Sequence, residues 1–361
     1  MSRSHNFSAG PATLPLQVIE ELQAALPEFK SCQAGIMEIS HRSPDFDAVI
    51  NSAKERFRRL INIPQDYEVL FLQGGASLQF YMLPLNILSP SEKGAYIMTG
   101  TWSTKALKEA KRCSESFALW EDSSHKNVPK TISKTNSTYI HYTSNNTIYG
   151  TQFLDTPQTD SHLVVDMSSD ICSRPVDVSD FDIIYAGAQK NLGPSGVTTI
   201  ILSPWAIEQS RKNDKERAGG IPSMLNYALM VSKNSMFNTP NTFGIFALER
   251  MLAWMEAEGG MESMEQKNKE KARLIYQELD SSEFWVPHAS VDSRSLMNIT
   301  WRIHDTQLES IFLERATKEG LLALKGHRSV GGIRASLYNS CSLESAQKLS
   351  EFMKEFRLQN Q

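Results

Sequence analysis

Six short apolar runs, at 69–72, 95–98, 139–142, 163–165, 183–185 and 197–202, are spaced through the first two hundred residues by helix-length stretches of mixed polarity. The runs are nearly continuous rather than alternating, so strands built from them need cover on both faces. Strand, helix-length segment and strand in succession then argue for a mostly parallel sheet flanked by helices. A buried helix segment competes for any single run, but three to six residues is strand length. Nothing repeats at a period of 20 to 50 residues, which excludes solenoids and propellers.

Beyond these runs, Ile245, Leu248, Leu252 and Met255 mark a long amphipathic helix over 243–258, halted by Gly259-Gly260. We place a boundary there: an N-terminal arm at 1–15, a large α/β domain at 16–258 and a smaller α/β (α+β) domain at 259–361. The chain's 361 residues suffice for two cores, at roughly 150 residues per domain. In the smaller unit the pattern predicts a strand over 296–303 and a helix opened by Asp305 or Thr306 and closed by Gly320. A last helix is capped by Ser342, with Ala346, Leu349, Met353 and Phe356 as its stripe.

Charged residues are 22% and the net charge is −4 without a block of one sign. That balance offers no footprint for nucleic acid or an acidic membrane. Cys32, Cys113, Cys172 and Cys341 lie far apart with no CxxC pair, so they read as reduced thiols and no metal site is expected. The N-terminus lacks a signal pattern and no apolar run nears the ~20 residues of a membrane span, so the expected compartment is the cytoplasm.

Three segments carry chemistry. A strand at 183–185 runs into Ala186-Gly187-Ala188-Gln189-Lys190, a lysine held among small residues, where burial would lower its pKa and free the amine for Schiff-base formation. A solvated loop lysine is the plainer alternative. Asp166 ends the run 163–165, at the strand end where open α/β sheets bind ligands; its plainer use is a helix N-cap. An anion and an amine brought to one edge suit an aromatic-nitrogen aldehyde cofactor, the acid keeping the ring nitrogen protonated. Third, Gln73-Gly74-Gly75-Ala76-Ser77 joins a strand to a helix start, where free amides would hold a phosphate. It matches neither GxGxxG nor GxxxxGK[ST], so the dinucleotide and P-loop readings lose support.

With five motifs in order, the chain resembles the class V, fold-type I pyridoxal-phosphate aminotransferases, and among them the phosphoserine aminotransferase family. These motifs are Asn6-Phe7-Ser8-Ala9-Gly10-Pro11-Ala12, Met37-Glu38-Ile39-Ser40-His41-Arg42-Ser43, the Lys190 segment, Met236-Phe237-Asn238-Thr239-Pro240, and Lys325-Gly326-His327-Arg328-Ser329 continuing to Ser336. The resemblance implies pyridoxal 5'-phosphate as cofactor, Lys190 as Schiff-base lysine and proton shuttle, and Asp166 on the pyridinium nitrogen. It puts Trp102 on the ring face and Thr147 on the phenolic oxygen. Ala76, Ser77 and Gln189 would take the phosphate, with Asn238 and Thr239 reaching in from a second copy, which implies a homodimer with shared sites. His41, Arg42, His327 and Arg328 would hold the substrate's distal anion and Arg334 its α-carboxylate. The implied reaction is amino transfer between L-glutamate and 3-phosphohydroxypyruvate, for serine biosynthesis, with a related step towards pyridoxine as a second use. Position 9 is Ala9 where some relatives carry a hydroxyl.

Two classes of rival are weaker, another chemistry on the same cofactor and a non-catalytic scaffold. A cysteine desulfurase needs a cysteine in a mobile loop, and an alanine-type transaminase has no use for two His-Arg pairs. A non-catalytic scaffold would be favoured by loss of Lys190 or Asp166, and both are present.

Overall fold

The computed structural model describes residues 3–133 and 135–361, so the first two residues of the expected arm lie outside the described residues. Seven strands, β1 (Glu68–Leu72), β2 (Gly94–Met98), β3 (Phe117–Glu121), β4 (Tyr139–Thr143), β5 (His162–Asp166), β6 (Ile183–Gly187) and β7 (Thr198–Leu202), form one sheet. Their order is β1-β7-β6-β5-β4-β2-β3. Strand β7 runs against both neighbours and all other pairings are parallel.

The continuous apolar runs reflect two covered faces. On one face Val69, Phe71, Val165, Ile184 and Ile201 join a core with α1 (Leu16–Ala24), α2 (Pro44–Ile61) and the helix at 242–257. On the other, Leu70, Tyr96, Val164, Tyr185 and Ile200 pack on α3 (Gly75–Ile87), α4 (Thr101–Ala110) and α5 (Pro204–Glu216). Adjacent residues of one strand thus enter different cores. Strand β3, with its short apolar run Phe117-Ala118-Leu119-Trp120, is missing from the sequence reading; it lies at the sheet's edge, where none of its residues is fully buried.

After α6 (Tyr227–Ser232), helix α7 (Thr242–Ala257) lies within a residue of its expected span, with Asn241 accepting from the Gly244 amide at 2.9 Å as its cap. Helix α8 (Gly260–Leu279) leaves a left-handed Gly259 and buries Met261 and Met264 in the first core. Its later turns put Ala272, Ile275 and Leu279 into a third core, with Trp301, Phe312 and Phe356. That core lies with an antiparallel sheet of β8 (Trp285–Pro287), β9 (Asn298–Ile303) and β10 (Ile333–Ser336), with α9 (Leu308–Lys318) and with α10 (Leu343–Asn360). Phe7 is fully buried in it, because His5–Asn6 pairs in parallel with Leu321–Leu322.

Other boundaries also differ from expectation, and two of them have a local reason. Strand β9 starts at Asn298 rather than 296, the Leu296 amide being taken by Gln152 Oε1 at 2.8 Å. Helix α9 starts at Leu308, since Asp305 Oδ1 instead accepts from the Gln307 amide in a tight turn. Strand β7 begins at Thr198 instead of 197. Ser342 caps α10 as expected, accepting from the Ser345 amide at 3.1 Å.

The register brings strand ends together. Leu72, Thr198 and Gly187 form one row across β1, β7 and β6, while Asp166 pairs with Thr143 on one side and Tyr185 on the other. The segments leaving β1, β2, β4, β5 and β6 therefore open at a single edge, where ligands of open α/β sheets bind.

Candidate active site

Lys190 stands three residues past the end of β6. The turn is fixed by its backbone: the Ala188 amide donates to the Val197 carbonyl at 2.9 Å and the Leu192 amide to the Ala188 carbonyl at 3.0 Å. The N-terminal arm runs alongside, its Ala12 amide donating to the Gln189 carbonyl at 2.9 Å. A Cβ on Gly10, at φ +135°, would lie 3.5 Å from Lys190 Cγ. Lys190 keeps part of its surface open, yet burial dominates its amine and lowers the pKa to about 8. The charges of Asp166 and Asp170 pull it back up, and Arg334 adds to the fall.

Asp166, at the end of β5, is 4% exposed. Its Oδ1 accepts from the Ser168 amide at 2.9 Å, and the Ser168 hydroxyl also acts on the carboxylate. Burial raises the carboxyl pKa, opposed by the Ser168 hydrogen bonds and by Lys190. Ser168 also accepts from the Gly187 amide at 3.1 Å, tying the Asp166 turn to the end of the Lys190 strand. A carboxylate this buried calls for a cationic partner.

Trp102, in the first turn of α4, donates from Nε1 to Thr147 Oγ1 at 3.1 Å. The Lys105 ammonium lies 4.7 Å from the indole centroid. Arg334, on β10, donates from Nη1 to the Thr147 carbonyl at 2.9 Å, and burial lowers its pKa. Thr147 thus joins a residue of the large sheet's edge to one of the small sheet. His327 is in the same field: burial lowers its pKa first, then the charges of Arg334, Arg328 and Lys105.

Gly74 and Gly75, at φ +91° and +63°, let β1 turn directly into α3. Their left-handed conformations favour glycine, and a Cβ on Gly74 would meet Leu78 at 2.4 Å. Within the helix the first amide to donate to a backbone carbonyl is that of Leu78, leaving those of Gly75, Ala76 and Ser77 free at the helix start. Nothing lies within 4 Å of a Cβ built on Gly75. Such free amides at a 13-residue helix suit an anion.

Lys190, Asp166, Gln189, Trp102, Thr147, Arg334 and His327 are thus linked at one edge. His41 and Arg42 are not among them. They precede α2, whose cap Ser43 accepts from the Phe46 amide at 3.3 Å, and Arg42 is exposed. Asn238 and Thr239 are exposed too, with Gln73 Nε2 donating to the Thr239 carbonyl at 3.4 Å. Sequence reasoning missed Ser168 and Tyr338, whose hydroxyl donates to the Ala9 carbonyl at 2.9 Å. Ser168 was legible only as a neighbour of Asp166, and Tyr338 had no signal, since its partner lies 329 residues away. Among the described residues no His, Cys, Asp or Glu group could hold a metal, and no helix is long and apolar enough to cross a membrane.

The model of the class-V aminotransferases matches residues 4–349 of the chain. The phosphoserine aminotransferase of Geobacillus kaustophilus is 47% identical over 363 residues, covering 99% of each chain. A phosphoserine aminotransferase structure from Bacillus circulans subsp. alkalophilus superposes with a TM-score of 0.93 at 44% identity, over 99% of each chain. The pyridoxal-phosphate-bound enzyme of Trichomonas vaginalis gives a TM-score of 0.89 at 33% identity, over 98% of this chain and 100% of its own.

Proposed function

The chain belongs to the class-V aminotransferase family, and on that premise we propose that it moves an amino group between L-glutamate and 3-phosphohydroxypyruvate. The products are O-phospho-L-serine and 2-oxoglutarate, and the setting is serine biosynthesis in the cytoplasm. The observation that carries the reading is the buried Asp166 beside the desolvated Lys190 amine, at the edge where Arg334 also arrives. The substrates rest on relatives named phosphoserine aminotransferases over 99% of the chain.

The residues fit pyridoxal phosphate. The buried Asp166 carboxylate is a site for a ring N–H, the free amides of Gly75, Ala76 and Ser77 suit a phosphate, and the Trp102 indole offers a ring face. When bound, the cofactor supplies an aldehyde for an amine and a ring that takes up electrons released at the substrate α-carbon.

The chain's own groups do the rest. Asp166 would hold the ring nitrogen protonated. The Lys190 amine, neutral at mildly alkaline pH, would hold the cofactor through its aldehyde and would serve as the base that moves the proton at the substrate α-carbon. Thr147 would hydrogen-bond the phenolic oxygen, and Gln189 would join Ala76 and Ser77 in holding the phosphate. Arg334 holds the α-carboxylate by a two-bond fork, which fixes the orientation of the α C–H. His327 and Arg328, with His41 and Arg42, read the distal anion, phosphate in one half-reaction and the glutamate carboxylate in the other.

Arg42, Asn238 and Thr239 are exposed and His41 half-exposed in their own chain, and we assign all four to the site of a second copy, in a homodimer. The chain divides, in this reading, into an arm at 1–15, a cofactor domain at 16–258 and a small domain at 259–361. Amino transfer from glutamate to 3-phosphohydroxypyruvate, measured beside unphosphorylated hydroxypyruvate, tests the function. A large preference for the phosphorylated acceptor is expected, and equal kcat/KM for the two would overturn the substrate assignment.

A further inference from the structure

We propose that Asn146 is a positioning residue that holds Thr147 and Trp102 in register for the cofactor and, through Thr147, sets Arg334. The inference deepens the functional reading and rests on it for the presence of pyridoxal phosphate.

Asn146 is 1% exposed, in a short antiparallel pairing of Asn145–Asn146 with Thr151–Gln152. Both ends of its carboxamide are used. Oδ1 accepts from the Ile148 amide at 3.0 Å and the Tyr149 amide at 3.3 Å, curling the chain around Thr147. Nδ2 donates to the carbonyl of Thr99, the residue after β2, at 2.9 Å. Ser103 Oγ accepts from the Thr99 and Gly100 amides at 3.0 and 3.1 Å, which fixes the start of the helix that carries Trp102.

One side chain therefore spans the two loops that must meet in the Trp102–Thr147 hydrogen bond. The approach is too close for any other residue at Gly100: a Cβ there would lie 2.3 Å from Asn146 Nδ2 and 2.8 Å from the Tyr149 ring, at φ +150°. The Thr147 carbonyl, oriented by the same turn, accepts from Arg334 Nη1. A carboxamide alone among the common side chains supplies two acceptor sites and a donor in this shape. Aspartate would keep the acceptors and lose the donor.

The test compares Asn146→Asp and Asn146→Ala with the native protein. In the cofactor-free protein, hydrogen exchange should show the Ile148 and Tyr149 amides protected in the native chain and in Asn146→Asp, and unprotected in Asn146→Ala. Titration with pyridoxal phosphate should give affinity about tenfold weaker for both variants, the scale of one lost buried hydrogen bond. In the loaded enzyme Asn146→Ala should raise the KM for glutamate more than it lowers kcat. Asn146→Asp keeps the test open if Asn146→Ala does not fold. Native affinity and native glutamate KM in folded variants would overturn the proposal, as would unprotected amides in the native chain. A native protein that binds no pyridoxal phosphate would overturn the functional reading and this proposal with it; native binding with unaltered variants overturns this proposal alone.

Discussion

Arg334 Nη1 donates to the Thr147 carbonyl at 2.9 Å across 187 residues of sequence, so the small sheet places its cation on the turn that closes the large sheet's edge. The guanidinium is oriented before any substrate arrives, and its remaining N–H groups are left for a carboxylate. Arg334→Lys keeps the charge and loses the fork. We expect KM for both glutamate and phosphoserine to rise about tenfold or more, by the cost of a lost charge-assisted bond. Steady-state kinetics with the two amino donors checks this, and unchanged KM for both would remove Arg334 from the carboxylate site.

Lys190 is the proposed attacking amine, and its pKa is lowered to about 8. The neutral form attacks, so loading of the cofactor-free protein should quicken as pH rises through about 8 and level off above it. A group at the ordinary lysine value would still be gaining speed there. Stopped-flow absorbance after adding pyridoxal phosphate tracks this, and Lys190→Ala should show neither the visible band of the bound cofactor nor amino transfer.

Asp166→Ala removes the carboxylate proposed for the ring nitrogen while leaving the amides at the start of α3 intact. The variant should retain some cofactor and lose most turnover. Near-native kcat with full cofactor occupancy would show that nothing depends on a protonated ring.

If Arg42 serves the site of a second copy, Arg42→Ala and Lys190→Ala are defects that one mixed dimer can segregate. Each variant alone should be nearly inactive towards phosphoserine, Arg42→Ala by the roughly 2–5 kcal/mol of a broken buried charge pair. Refolding the two together should restore one intact site in a mixed dimer. No recovery in a mixture shown to contain mixed dimers would place Arg42 outside a shared site.

A buried lysine away from the site predicts a stability profile. Lys271 is 1% exposed, donates to the Leu337 and Tyr338 carbonyls at 2.9 and 2.8 Å, and has its pKa lowered by burial to about 8. The unfolded chain, at the ordinary lysine value, binds more protons between pH 8 and about 10, so stability there rises with pH and the contribution is lost as pH falls through about 8. Denaturant unfolding at pH 7.5 and 9.5 should show native protein gaining relative to Lys271→Met, by about 1 to 2 kcal/mol. An identical pH slope in both proteins would contradict a neutral Lys271.

Sequence alone determined the features that neighbours along the chain dictate. The apolar runs at 69–72 and 183–185 read as strands covered on both faces, Ser342 as the cap of a helix, and Gly74-Gly75 as the turn into α3. Lys190 and Asp166 were visible because each sits at a strand end. Tertiary structure decided which strand ends share an edge, since register and strand order depend on pairings between residues far apart in sequence. It also decided the partners of Thr147, Tyr338 and Asn146, whose hydrogen bonds run to residues 45 to 329 positions away. Such contacts leave no periodic trace in the sequence, because a hydrogen bond selects a distance and an angle in space and is indifferent to the length of chain between its two ends.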